Sequence, residues 1–299
     1  TARARPGLVG LHERPCPVRQ ARHLQNVGQE SSGPESMHTL INSSDERGVL
    51  TICMNRPEVH NAFDAAMIRE LAMTLKEADQ DDAVRIVVIT GTGSCFSAGA
   101  DLNWMRSLVN ASRDENERDA LRLADLMREL NYLSKPTIAR INGAAFGGGV
   151  GLIAACDITL AVEGASFGLT EARLGLAPAV ISPYVIRRIG ETYARRYFLS
   201  AERFDSHKAY DIGLVQQTVS EDLLDDSVED NIRQLLKSGP LAVSNCKKLV
   251  FDIAGHDADS QKITDLKTAR LIARLRVSAE GQEGLTAFLD KRKPGWIKD

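Results

Sequence analysis

The 299-residue chain is short of cysteines, of aromatics and of positive charge. Cys16, Cys53, Cys95, Cys156 and Cys246 stand singly, with no CxxC pair and an odd total. Such scatter holds neither a disulfide framework nor a zinc site and suits a reducing compartment, so the expected location is cytoplasmic. A formal charge of −3 lacks the basic surplus of a nucleic-acid binder, though a local cationic site for a phosphorylated ligand stays compatible with it. No uninterrupted apolar run approaches the roughly 20 residues that cross a bilayer, which excludes a helical channel and leaves no membrane partner expected. The histidines, His60 included, have no partner at metal-ligand spacing, and no metal is expected. What is present is 43% hydrophobic and 26% charged residues, the make-up of a globular chain with a real core.

Residues 1–36 differ from the rest. Arg3, Arg5, Arg14, Arg19 and Arg22 lie among Pro6, Pro15, Pro17 and Pro34 without periodicity, which predicts a disordered N-terminal extension. Because Met37 precedes the first strand pattern, the extension reads as an expression remnant or a start assigned too far upstream. A mitochondrial transit peptide is the alternative, which the helix-breaking prolines oppose. Residues 37–237 alternate strand and helix: strands at Gly48–Met54, Val84–Thr90, Thr137–Ile141 and Ile158–Val162, helices at Ala65–Ala78, Arg113–Leu133 and Gly149–Cys156. The order predicts an α/β layered core. Residues 238–299 read as helical, with apolar three- and four-residue spacing in Leu241–Ala254 and Gln261–Leu275.

Three segments carry chemistry. Ser94–Leu102 follows a strand, and its small residues permit a tight turn with backbone N–H groups open to a ligand; a plain strand-to-helix loop capped by Asp101 is the alternative. Asn142–Leu152 opens a helix on consecutive glycines, where exposed N–H donors and the helix dipole favour an anion or oxyanion; close packing on glycine is the alternative. The spacing is neither a dinucleotide fingerprint nor a P-loop. In Ser166–Pro178, Glu171 sits among apolar and small residues that would raise its pKa toward a useful range for proton transfer; a first-turn glutamate answering the dipole is the alternative. Trp104 and Met105, just past the first loop, line an acyl pocket or simply pack the core.

AGAD at Ala98–Asp101, the glycine run at Asn142–Gly149, CDI at Cys156–Ile158 and FGLTEARLGLAP at Phe167–Pro178 together resemble the enoyl-CoA hydratase/isomerase (crotonase) superfamily. Asn55-Arg56-Pro57, Asn61-Ala62 and the stretch from Glu283-Gly284 to Lys291-Arg292 fit too, so the similarity runs from about Gly48 to Trp296. Within the superfamily, the wording from Arg173 to Tyr184 is most similar to bacterial methylglutaconyl-CoA hydratases of leucine catabolism. Isohexenylglutaconyl-CoA hydratases of acyclic terpene breakdown are nearly as similar. The resemblance implies a crotonase-like spiral of ββα turns with a C-terminal helical subdomain that assembles a homotrimer, usually paired into a hexamer. It implies that the N–H groups of Ala98 and Gly148 form an oxyanion hole, each donor worth about 3 to 4 kcal/mol to an enolate-like transition state, with Glu171 as acid/base. Arg56, Glu58, Asn61, Ala62, Ser97, Ala100, Asp101, Leu102, Gly147, Ala179, Phe288 and Lys291 would contact the acyl-CoA, the last two at its nucleotide end in the same or a neighbouring subunit. Coenzyme A then belongs to the substrate, and no separate cofactor is implied.

One departure stands out. Typical hydratases of this superfamily carry a first glutamate where this chain has Gly151, leaving Glu171 alone. One carboxylate can take a proton from water and return it to Cα, so hydration of a glutaconyl-type thioester remains the first expectation, with Arg173, Arg187 or Arg188 as candidate partners of a distal carboxylate. A Δ3-Δ2 enoyl-CoA isomerase, which needs one base, is the runner-up. A non-catalytic CoA-ester or RNA-binding protein is the third, its RNA version weakened by the acidic charge.

Overall fold

The computed structural model describes residues 39–298, so the expectation for residues 1–36 lies outside the described residues. Leu40–Ser44 (β1) pairs antiparallel with Val49–Met54 (β2). Ala65–Gln80 (α1) follows, started by Asp64, whose side chain accepts from the Met67 N–H. Ile86–Gly91 (β3) is buried throughout, as its β-branched run requires of a strand covered on both faces. The chain then repeats one unit three times. A long strand is followed after two or three residues by a three-residue strand, and the pair leads into helix.

The first unit is β3, Cys95–Ser97 (β4), Leu102–Val109 (α2) and Arg113–Asn131 (α3). The second is Thr137–Ile141 (β5), Ala144–Phe146 (β6) and Gly148–Ala155 (α4). The third is Ile158–Val162 (β7), Ser166–Gly168 (β8), a short 3-10 turn at Glu171–Leu174 and Ser182–Ser200 (α5), which is broken at Gly190. Arg203–Asp205 (β9), Ser206–Asp211 (α6), Gln217–Val219 (β10) and Leu224–Leu236 (α7) close the core. The long strands form one sheet in the order β1-β2-β3-β5-β7-β10, parallel from β2 onward. The short ones form a second, β4-β6-β8-β9, whose first three strands are parallel. This is the expected spiral of ββα turns.

Pro240–Ala254 (α8), Ala258–Arg276 (α9) and Ala279–Leu289 (α10) complete the chain. α9 lies along α3, burying Ala269, Ile272 and Ala273, while α10 packs on α2 and on the Glu171 turn. α8 buries none of its residues; Lys247 ties it to Asp157 at 2.8 Å, and Phe251 meets Tyr132 edge-on. No helix among the described residues is long and apolar enough to cross a membrane.

Candidate active site

Because β4, β6 and β8 run parallel side by side, the segments leaving them emerge at one edge of the small sheet. These are residues 98–101, residues 147–148 and the Glu171 turn. The first segment is pinned at almost every backbone group. The Ala98 N–H donates to the His60 carbonyl at 2.9 Å, Gly99 to Ser97 Oγ at 3.3 Å, and Asp101 to the Phe63 carbonyl at 2.8 Å. Among the described residues the Ala100 N–H alone of these four carries no partner. The expectation that Ala98 offers an open donor is therefore corrected: its N–H is spent, and the open one lies two residues on.

Gly99 makes the next loop's approach possible. Its φ is +88°, and a Cβ there would stand 2.8 Å from the Phe146 carbonyl oxygen and 3.7 Å from the Gly148 nitrogen. Gly147 has φ +49° and donates to the Gly168 carbonyl at 3.0 Å, so the Gly148 N–H, first of α4, is left without a partner among the described residues. Two open N–H groups on adjoining loops, one of them at a helix N-terminus, make a place for negative charge.

Glu171 faces the same place. Its Oε1 lies 3.1 Å from where a Gly147 Cβ would be, and its Oε2 is shielded from solvent with no hydrogen-bond partner. Burial without a nearby cation raises its pKa to about 7. A carboxyl poised there can both take and give a proton near neutrality.

The position of the missing glutamate is filled. A Cβ on Gly151 would stand 2.9 Å from Ile181 Cβ, closer still to Ile181 Cγ2, and 3.2 Å from Met127 Cε. An apolar pair thus occupies the space of a second acid, a feature with no signal in the sequence beyond Gly151 itself.

Several expected ligand contacts are occupied within the protein. The Arg56 guanidinium pairs with Asp64 and Asp101, each at 3.0 Å, and donates to the Ala62 carbonyl at 2.8 Å. Asn61 is fully buried at φ +54°; its Oδ1 accepts from the Arg56 N–H at 2.9 Å, and its Nδ2 donates to the Thr92 and Cys95 carbonyls. Ser97 Oγ donates to the Asn61 carbonyl at 2.8 Å, and Asp101 caps α2 through the Asn103 and Trp104 N–H groups. These four side chains shape the loop. Ala62 and Ala179 are buried, whereas Glu58, Leu102, Phe288 and Lys291 are exposed.

The candidate arginines divide in the same way. Arg173 is exposed. Arg187 is taken by Tyr132, His256 and Gln261, and Arg188 by Thr159 Oγ1 at 2.9 Å, so neither awaits a substrate. A buried group that sequence reasoning missed lies near α2. Trp104 Nε1 donates to Asp119 Oδ1 at 3.2 Å, and Asp119 pairs with Arg276. Arg276 is one of several arginines closing α9, and its spacing does not single it out. No His, Cys, Asp and Glu cluster among the described residues suits a metal ion.

Residues 44–299 match the family model for enoyl-CoA hydratase/isomerase. A solved structure of an enoyl-CoA hydratase/isomerase (crotonase) from Legionella pneumophila is 45% identical, covering 88% of this chain and 100% of that one, with a TM-score of 0.69. An enoyl-CoA hydratase from Shewanella pealeana is 42% identical over 87% of this chain and 97% of its own, with a TM-score of 0.71. The 2,3-dehydroadipyl-CoA hydratase of Escherichia coli is 32% identical over 86% of this chain and 98% of its own. With these relatives and the ββα spiral that carries the site, the chain belongs to the enoyl-CoA hydratase/isomerase family.

Proposed function

We propose that this enzyme adds water across the double bond of an α,β-unsaturated acyl-CoA whose acyl group ends in a carboxylate, of the 3-methylglutaconyl-CoA or isohexenylglutaconyl-CoA type. The observation that carries the chemistry is Glu171 Oε2, buried and unpartnered beside the glycine loop. The thioester oxygen accepts from the Ala100 and Gly148 N–H groups. Glu171 takes a proton from water as the water oxygen bonds to Cβ, and charge gathers on the thioester oxygen as an enolate. The same carboxyl then returns the proton to Cα. Wording from Arg173 to Tyr184 supports the glutaconyl type, as does the E. coli relative, whose named substrate carries an adipyl-derived group with a terminal carboxylate.

Gly151 favours a second function. With Ile181 and Met127 filling the space of a second acid, one base could move a proton from C2 to C4 of a 3-enoyl-CoA without water. Incubation with 3-methylglutaconyl-CoA, crotonyl-CoA and a 3-enoyl-CoA in heavy-oxygen water separates the two. Label entering 3-hydroxy-3-methylglutaryl-CoA supports hydration; a migrated double bond without label supports isomerisation.

We also propose that α8 is covered by further copies of the chain in a trimer or hexamer. Leu249, Val250 and Ile253 of α8 and Ile263 of α9 are more than half exposed, an apolar area that isolated subunits rarely leave open.

A further inference from the structure

Arg276 closes α9 with its side chain only 12% exposed. Both of its contacts use Nη1, at 3.3 Å to Asp119 Oδ2 and 3.4 Å to Asn116 Oδ1. Neither is short, and among the described residues its Nε and Nη2 have no partner, although neither nitrogen is sealed from solvent. A guanidinium offers five donors, and with only Nη1 engaged by the protein the solvent-reachable Nε and Nη2 edge is open to a ligand.

The surroundings tie Arg276 to α2 and to the Glu171 turn, the two elements beside the open N–H groups and the buried carboxyl. On one side α2 starts directly after the open Ala100 N–H, and its Trp104 holds Asp119, the partner of Arg276. On the other side the Glu171 turn ends in Leu176, whose N–H donates to the Glu171 carbonyl at 3.1 Å. Leu176 packs into a small cluster with Ala120, Ala179 and Ile272, and Ile272 is one helical turn before Arg276. Gln282 closes the corner by donating to the Arg276 carbonyl at 2.6 Å and the Val109 carbonyl at 3.1 Å. Arg276 is thus linked to α2 through Asp119 and to the Glu171 turn through the cluster one helical turn before it.

The geometry points to Arg276 as the anchor for a carboxylate at the far end of the acyl group, bound through the free Nε and Nη2 edge. That edge matches a carboxylate with two parallel hydrogen bonds. Asp119 keeps to Nη1 and fixes the fork with help from the Trp104 indole. The inference rests on the acyl-CoA function above and names the group that would distinguish a dicarboxylic thioester from a simple fatty one.

The test is binding of two saturated, unreactive thioesters of equal chain length, glutaryl-CoA and valeryl-CoA, by isothermal titration with the full chain. The wild type is expected to prefer glutaryl-CoA by about tenfold or more, a difference of ~1.4 kcal/mol. Arg276→Met should abolish the preference while leaving valeryl-CoA affinity unchanged, and Arg276→Lys should restore part of it. Because Arg276→Met strands Asp119, the Asp119→Asn/Arg276→Met pair is measured beside it, with the same loss expected. A wild type without preference, or a preference surviving both variants, overturns the assignment. Turnover is scored separately: an enzyme that hydrates no enoyl-CoA refutes the proposed reaction, while the binding preference still decides the role of Arg276.

Discussion

Ile181 stands in the space that a side chain at Gly151 would need, its Cβ 2.9 Å from the point where the Gly151 Cβ would be. The single-glutamate site is therefore built by two positions acting together, a missing side chain and a neighbour that occupies its place. Gly151→Glu alone must displace Ile181 and bury a carboxylate among apolar groups. We expect it to lower stability by about 2 to 4 kcal/mol, from overpacking together with desolvation. Pairing it with Ile181→Gly relieves the overpacking and recovers part of that loss in a urea unfolding series. Equal stability of the single and double variants would show that Ile181 is not the obstacle.

Glu171 makes stability and activity depend on pH in opposite senses. Its pKa in the folded chain is about 7, against 4.5 for a solvent-exposed glutamate. Between those two values the folded state holds the proton more tightly, so stability falls as pH rises from about 4.5 through about 7 and stays lower above that. Glu171→Gln removes this loss and should raise the melting temperature at pH 8 while changing it little at pH 4. The expected gain at pH 8 is on the order of 2 to 3 kcal/mol. Activity runs the other way, since the base must be ionised: hydration should rise through about pH 7 in the wild type and be nearly abolished in Glu171→Gln. A variant that keeps wild-type turnover removes Glu171 from the mechanism.

The two N–H groups of the first loop separate cleanly by what they already bond. Exchanging a backbone N–H for an ester oxygen, by incorporating the α-hydroxy analogue of alanine, deletes one donor and little else. At position 100, where the N–H is free, we expect kcat to fall about 100- to 1000-fold, the usual loss for one oxyanion donor. At position 98, whose N–H is held by the His60 carbonyl at 2.9 Å, the exchange should cost about 1 kcal/mol of stability with kcat largely kept. The reverse outcome would return the role to Ala98.

The long elements are legible in the sequence because their periodicity is long enough to read. Val84–Thr90 announces a buried strand that forms at Ile86–Gly91, and the apolar spacing of Gln261–Leu275 lies within α9. The three-residue strands β4, β6 and β8 are not legible, since so few residues show no alternation. Yet their parallel pairing is what gathers the three loops of the candidate site. Glu171 is recognisable from its apolar surroundings. The choice between Ala98 and Ala100 is not, because it depends on whether the His60 carbonyl, at φ +55°, reaches across to one N–H or the other. Asn61 and Arg56 look like ligand contacts in sequence, and in the structure their side chains bond to the loop around them.

That bracing role is measurable. Asn61→Ala removes three hydrogen bonds to backbone groups and leaves an alanine at φ +54°. Several buried bonds at about 1 kcal/mol each, together with the stranded Thr92 and Cys95 carbonyls, predict a loss of roughly 3 kcal/mol. Asn61→Asp keeps the acceptor toward the Arg56 N–H but turns a buried carboxylate oxygen onto the Thr92 and Cys95 carbonyls, so it should destabilise at least as much as alanine. The unfolding midpoint should therefore drop in both variants while KM for the acyl-CoA changes less than kcat. A KM that rises alone, at unchanged stability, would mean that Asn61 contacts the substrate after all.

The last prediction concerns α8. Leu249 and Ile253 are 58% and 82% exposed and lie one turn apart on a helix that buries nothing of its own. A helix held mainly by the Lys247–Asp157 pair and the Phe251–Tyr132 contact has most of its apolar area left for another surface. If that surface is a second copy of the chain, Leu249→Glu with Ile253→Glu places two charges in the interface, where desolvation is unfavourable by several kcal/mol per ion. Sedimentation velocity should then show the wild type as a trimer or hexamer and the double variant as a monomer with its helical content intact. α10 caps the Glu171 turn within its own chain, with a Gly175 Cβ position 2.6 Å from the Glu280 carbonyl oxygen. The monomeric variant should therefore keep measurable turnover, and complete loss of activity on dissociation would show that a neighbouring subunit completes the site.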